Sequence, residues 1–119
     1  MYSLVREGEG KRAMRRVSTH SKHAQAIVRY LQRRGAWCTR LHGSMWQRRG
    51  LPDILACWQG TLLAIEVKAG QHSRLSPHQK AELDALHRAG AVVLVGDAPS
   101  VIEQLRQLTG DLQPTLLDA

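Results

Sequence analysis

The stretch Gly50-Leu51-Pro52-Asp53-Ile54-Leu55-Ala56-Cys57-Trp58-Gln59-Gly60-Thr61-Leu62-Leu63-Ala64-Ile65-Glu66-Val67-Lys68 decides how this chain folds. Two apolar runs, 52–58 and 61–68, flank Gln59-Gly60, a short turn with glycine where a positive backbone angle is needed, and the whole reads as a β-hairpin. A hairpin centred between Gln59 and Gly60 pairs residues whose numbers add to 119, and Asp53 and Glu66 are such a pair. Residues directly opposite place their Cβ atoms on one face, about 4.5 to 5.5 Å apart. Lys68 shares that face because strand side chains repeat with period two.

Apart from that charged end, both faces of the hairpin are apolar, so it is expected to lie deep in a sheet covered on both sides. Two adjacent carboxylates in such a place repel one another and hold their protons too tightly unless a cation lies between them. A divalent ion with hard oxygen ligands resolves the conflict, whereas a buried Asp/Glu/Lys network kept only to fix strand register stabilises little.

Working outward, Ser18 or Thr19 is expected to cap a helix from about His20 to Arg34, with Ala24, Ile27, Val28 and Leu31 as its apolar stripe and Gly35 at its end. Ala36 to Leu41 reads as a short strand, and His42 to Gly50 as a loop carrying Arg48 and Arg49. Beyond the hairpin, Ser76 to Arg88 is a helix with Pro77 in its first turn and Leu83 and Leu86 facing inward. Ala91 to Val95 is a buried strand closed by Gly96-Asp97, and Ser100 to Leu108 a helix capped by Gly110. The expected fold class is α/β, a mixed sheet flanked by helices in the order α-β-β-β-α-β-α.

The chain has 119 residues and a net charge of +7, with 12 basic and two acidic residues in 1–50 against five basic and eight acidic in 51–119. This length suits one domain. The expected division is a flexible basic arm at 1–18, a folded domain at 19–110 and a tail at 111–119. The basic half points to a nucleic-acid partner, with Arg12, Arg15 and Arg16 of the arm as contacts for a phosphate backbone. Arg48 and Arg49, just before the acidic strand, are placed to grip a phosphate in bidentate fashion.

No apolar run reaches membrane-spanning length, and no stretch resembles a signal peptide. Cys38 and Cys57 are too few for a disulfide framework and are expected to be buried thiols. The chain therefore reads as a reduced, cytoplasmic protein with no membrane partner. Trp37 and Trp58 are expected in the core, and Trp46 in a loop where it would stack on a base. His20 and His23, one helical turn apart, lack a further ligand at zinc-site spacing and read as surface residues.

Gly50-Leu51-Pro52-Asp53-Ile54, the hairpin, Glu66-Val67-Lys68, Leu75-Ser76-Pro77-His78-Gln79 opening a helix, and Leu86 to Ala91 before a strand together resemble the VRR-NUC branch of the PD-(D/E)XK nucleases. That branch includes small stand-alone phage-type and bacterial members and the nuclease domain of the Fanconi-associated nuclease. The likeness spans about residues 20–97. It implies a restriction-endonuclease-like fold and a host setting that is bacterial or phage-infected.

The resemblance also implies that Asp53 and Glu66 coordinate Mg²⁺, with Mn²⁺ able to substitute and the Val67 carbonyl as third ligand. Lys68 would orient or deprotonate the attacking water, and Gln79 would position Lys68 or that water. The implied activity is metal-dependent, structure-selective DNA endonuclease cleavage, extending to four-way (Holliday) junctions. If junctions are the substrate, symmetric cutting of two strands requires a homodimer.

Related nucleases place a glutamate on the first helix. The corresponding His20-Ser21-Lys22-His23-Ala24-Gln25 contains no acid, so Gln25 or a histidine would have to serve through water, or the second metal position is weak. That gap is the argument for a competing reading as a non-catalytic nucleic-acid-binding module. An RNA-directed binder or nuclease is a third reading, because A-form and B-form backbones offer similar phosphates and no 2′-hydroxyl reader that would tell them apart is visible.

Overall fold

The computed structural model describes residues 18–42, 48–70 and 73–117, giving the helix backbone alone from residue 109 onward. Its elements are α1 (Thr19–Arg33), β1 (Trp37–Arg40), β2 (Ile54–Trp58), β3 (Thr61–Val67), α2 (Pro77–Arg88), β4 (Val92–Gly96) and α3 (Ala98–Leu117). The order is the expected α-β-β-β-α-β-α. The arm residues Arg12, Arg15 and Arg16, and Trp46 of the loop, lie outside the described residues.

The four strands form one mixed sheet in the order β1-β2-β3-β4. β1 with β2 and β2 with β3 are antiparallel, and β3 with β4 is parallel. The parallel pair needs a crossover, which α2 supplies. In the hairpin Ile54 pairs with Ile65, Leu55 with Ala64 and Trp58 with Thr61, which is the register expected from the numbering. Gln59 and Gly60 both have positive φ, 52° and 83°, as a two-residue turn matched to the twist of its strands requires.

Alternation then sorts the sheet into two faces. Ile54, Ala56 and Trp58 of β2, Leu63, Ile65 and Val67 of β3, and Leu94 of β4 enter the main core. That core is closed by Ala24, Ile27, Tyr30 and Leu31 of α1 and by Ala98, Val101 and Leu105 of α3. Each fully buried Ile or Leu contributes about 1.5 to 3 kcal/mol of transfer free energy, so this layer dominates stability. The opposite face carries Ala64 and Glu66, over which α2 lies with its one buried side chain, Leu83.

The hairpin is not covered on both sides along its whole length. Trp37, expected in the core, is 63% exposed, and Leu62 is 40% exposed. Register explains both, because Trp37 pairs with Cys57 and Cys57 with Leu62 in one row on the α2 face at the turn end. Cys57 is accordingly exposed rather than buried, while Cys38 is half-buried and its thiol is pushed up by burial. Trp58, of opposite parity, is in the core as expected.

The last helix also differs from expectation. It starts earlier, where Asp97 Oδ1 accepts from Ser100 N–H at 3.0 Å, and it continues through Gly110 to Leu117. A single glycine in a helix costs only about 1 kcal/mol and does not by itself end one.

Candidate active site

Asp53 stands one residue before β2, and its carbonyl accepts from Leu41 N–H at 2.8 Å, which extends the β1 ladder to it. Its side chain points to β3, where Asp53 Oδ2 accepts from Val67 N–H at 2.7 Å. The approach to β2 is shaped by Gly50 and the fully buried Pro52. Gly50 has φ +84°, and a Cβ there would stand 2.3 Å from the His78 carbonyl oxygen of α2. Only glycine therefore lets this loop lie against the first turn of the helix.

Glu66 is the one buried charged side chain among the described residues, at 1% exposure. Its neighbours are distributed unevenly over the two oxygens. Oε2 accepts from Gln79 Nε2 at 2.7 Å and lies 3.6 Å from Lys68 Nζ, whereas Oε1 is buried with no hydrogen-bond partner. Burial first and the Asp53 charge second push the Glu66 carboxyl up to about 7, with Lys68 pulling it back.

Gln79 is set by the helix start. Ser76 caps α2, its hydroxyl accepting from Gln79 N–H at 3.1 Å, and Gln79 Oε1 accepts in return from Ser76 N–H at 2.9 Å. This capping box decides which end of the amide faces the sheet. With Oε1 committed to Ser76 N–H and to Lys68 Nζ at 3.1 Å, Nε2 is the end left for Glu66. Lys68 is held at the mouth of β3, its N–H donating to the Gly96 carbonyl at 2.9 Å.

Asp53, Glu66, Lys68 and Gln79 thus converge on the α2 face of the sheet. Arg48 is brought near α2 but is engaged there, with Nε 2.9 Å from Glu82 Oε2. Arg49 is exposed.

Two contacts were not foreseen. His20 is exposed, as a surface residue is, and a histidine of this turn was one candidate to serve through water in place of the missing acid; it instead directs Nε2 straight to Asp53 Oδ2 at 3.2 Å. His23 is the acceptor for Ala98 N–H at 2.9 Å, tying α1 to the start of α3. Neither contact has a sequence signal of its own. The missing acid on α1 was the one indication that another residue type stands near Asp53.

Among the described residues no group of three or more His, Cys, Asp and Glu side chains gathers as a ready metal cluster. The pair Asp53 and Glu66 nevertheless suits a hard divalent ion, because both donors are carboxylates and Glu66 keeps one buried oxygen without a partner. A mixed sheet in this strand order with helices on both faces is a nuclease-like fold, and on it Asp53 and Glu66 stand at opposed positions with Lys68 two residues beyond Glu66.

Residues 9–94 match the family model of the archaeal Holliday junction resolvase (Hjc), and the chain belongs to that family. Two solved VRR-NUC domains share the fold. One has a TM-score of 0.66 at 24% identity, covering 76% of this chain and 97% of that one. The other has a TM-score of 0.65 at 18% identity, covering 80% and 91%. Hjc of Archaeoglobus fulgidus, a Holliday junction resolvase from an archaeal hyperthermophile, aligns with a TM-score of 0.48 and 27% identity over 63% of this chain and 67% of that one. No curated protein matches the chain. No helix among the described residues is long and apolar enough to cross a membrane.

Proposed function

We propose that this chain is a metal-dependent, structure-selective DNA endonuclease that hydrolyses phosphodiester bonds in branched DNA, four-way junctions included. The observation that carries the reading is the opposed pair Asp53 and Glu66, with Glu66 Oε1 buried and unpartnered while Lys68 Nζ stands 3.6 Å from Oε2. Membership of the resolvase family supports the substrate class.

Asp53, Glu66 and the Val67 carbonyl would hold Mg²⁺, or Mn²⁺ in its place. Such an ion, when bound, offsets phosphate charge and activates water. Lys68 Nζ, steadied by Gln79 Oε1 at 3.1 Å, orients the attacking water. Gln79 holds Lys68 and Glu66 at once, so it sets the spacing between the two. Arg49 and the arm residues Arg12, Arg15 and Arg16 contact the DNA backbone, and Arg48 joins them by exchanging Glu82 for phosphate. Two strands are cut by two copies, so the working form is a homodimer.

Labelled linear, flap, fork and four-way DNA, incubated with Mg²⁺, Mn²⁺ or EDTA, tests the proposal. Cleavage of branched substrates in metal, lost in EDTA, is expected. Asp53→Asn, Glu66→Gln and Lys68→Ala should each reduce cleavage at least 100-fold while DNA binding persists. Binding without cleavage by the wild type would favour the non-catalytic module, to which the absence of an acid on α1 otherwise points.

A further inference from the structure

His20 occupies the first turn of α1, whose start is fixed by Ser18 Oγ accepting from Ser21 N–H at 3.0 Å. Arg40 of β1 reaches back to donate to Ser21 Oγ at 3.4 Å, which ties this turn to the edge of the sheet. From there His20 Nε2 meets Asp53 Oδ2 at 3.2 Å. A carboxylate oxygen can only accept, so Nε2 carries the hydrogen and has no lone pair to offer a cation.

Asp53 Oδ2 consequently receives two donors, His20 Nε2–H from α1 and Val67 N–H from β3. One donor fixes where that oxygen sits, and two from different elements also fix the plane of the carboxylate. Neither of these bonds engages Asp53 Oδ1, and in Glu66 Oε2 is held by Gln79 while Oε1 is buried without a hydrogen-bond partner. Each carboxylate is pinned by one oxygen and offers the other.

We infer that His20 is a positioning residue, which orients Asp53 for a divalent cation by donating to Oδ2 and does not itself bind the ion. The inference rests on the metal-dependent function proposed above. It also gives the chain a use for the first helix that does not require an acid there.

Mn²⁺ binding to the full chain, read from the free-ion electron paramagnetic resonance signal, tests it without reference to cleavage. His20→Ala should weaken Mn²⁺ binding by about 10-fold, the lower end of what loss of a ligand's hydrogen-bond partner costs. His20→Gln, which returns an N–H donor at similar reach, should stay within about threefold of the wild type on the same scale. His20 is exposed, so both variants should melt as the wild type does.

Equal affinities for wild type and His20→Ala would overturn the inference, and so would equal weakening in both variants. A ¹⁴N coupling to bound Mn²⁺ that vanishes in His20→Ala would show a ligand instead of a donor and would also overturn it. Failure of the wild type to bind Mn²⁺ would remove the metal-dependent reading itself and this role with it, an outcome visible before any variant is made.

Discussion

Gln79 Nε2 donates to Glu66 Oε2 at 2.7 Å, and the same amide's Oε1 closes the capping box of α2. One side chain therefore ends a helix correctly and holds a proposed metal ligand. Removing it costs stability and alignment together, whereas removing the Ser76 hydroxyl costs only the cap. Ser76→Ala should lose about 1 kcal/mol with cleavage within a few-fold of the wild type. Gln79→Ala should lose a similar amount of stability but about 10-fold or more in cleavage. Thermal melts and single-turnover cleavage of a four-way junction separate the two effects. Equal cleavage by both variants would show that Gln79 serves the helix alone.

The Glu66 carboxyl gives the metal-free protein a pH dependence of defined sign. Its ordinary value is 4.5, and burial with the Asp53 charge pushes it up to about 7 in the folded chain. Between those values the folded state keeps a proton that the unfolded state releases. Stability is therefore greatest at the acid end of this window and falls as pH rises through it. In EDTA the wild-type melting temperature, measured relative to Glu66→Gln at each pH, should decline from pH 5 to pH 7 and then level off. Added Mg²⁺ should recover more stability at pH 8 than at pH 5, since the ion competes with that proton. A wild-type curve parallel to that of Glu66→Gln would refute the account.

Gly50 brings the loop before β2 against the backbone of the first turn of α2. Its φ of +84° disfavours any side chain, and a Cβ would press on the His78 backbone, 2.3 Å from its carbonyl oxygen. Backbone cannot rotate aside as a side-chain tip does. Gly50→Ala should destabilise by about 2 kcal/mol or more, combining left-handed strain with displacement of the first turn of α2. Because Gln79 follows His78, cleavage assayed well below the melting temperature should also fall. Unchanged stability in chemical denaturation would show that the loop yields freely.

The hairpin and the helix order were legible because both follow from local periodicity and turn chemistry. Glu66 opposite Asp53 needed only the numbering. Ser76 and Pro77 marked the start of α2, but the capping box that Ser76 forms with Gln79, which carries the geometry of the site as well, was not read from the sequence. The exposed row Trp37-Cys57-Leu62 was not legible, since apolar content alone does not say where α2 stops covering the sheet. His20 at Asp53 depends on how α1 crosses the end of the sheet, a tertiary relationship over 33 positions. The continuation of α3 through Gly110 was not legible because a single glycine costs a helix only about 1 kcal/mol and so marks an end without enforcing one.

The register of the hairpin makes the last prediction. Ile54 opposite Ile65 carries Asp53 to the position opposite Glu66, and the two-residue turn at Gln59-Gly60 holds that register. One residue inserted between Gln59 and Gly60 shifts one strand by a single position, and a single-position shift turns every side chain on it to the other face. Asp53 and Glu66 would then lie on opposite sides of the sheet, or a bulge would have to absorb the extra residue at the turn. Two inserted residues lengthen the loop at a closure cost of only about 0.6 kcal/mol per doubling of its length and leave the pairing intact. The single insertion should therefore lose at least 10-fold more Mg²⁺-dependent cleavage than the double insertion, a difference worth about 1.4 kcal/mol in the barrier. Circular dichroism first establishes that both variants are folded, and cleavage of the same junction substrate then compares them. Equal activity in the two folded variants would mean that this turn does not hold Asp53 opposite Glu66.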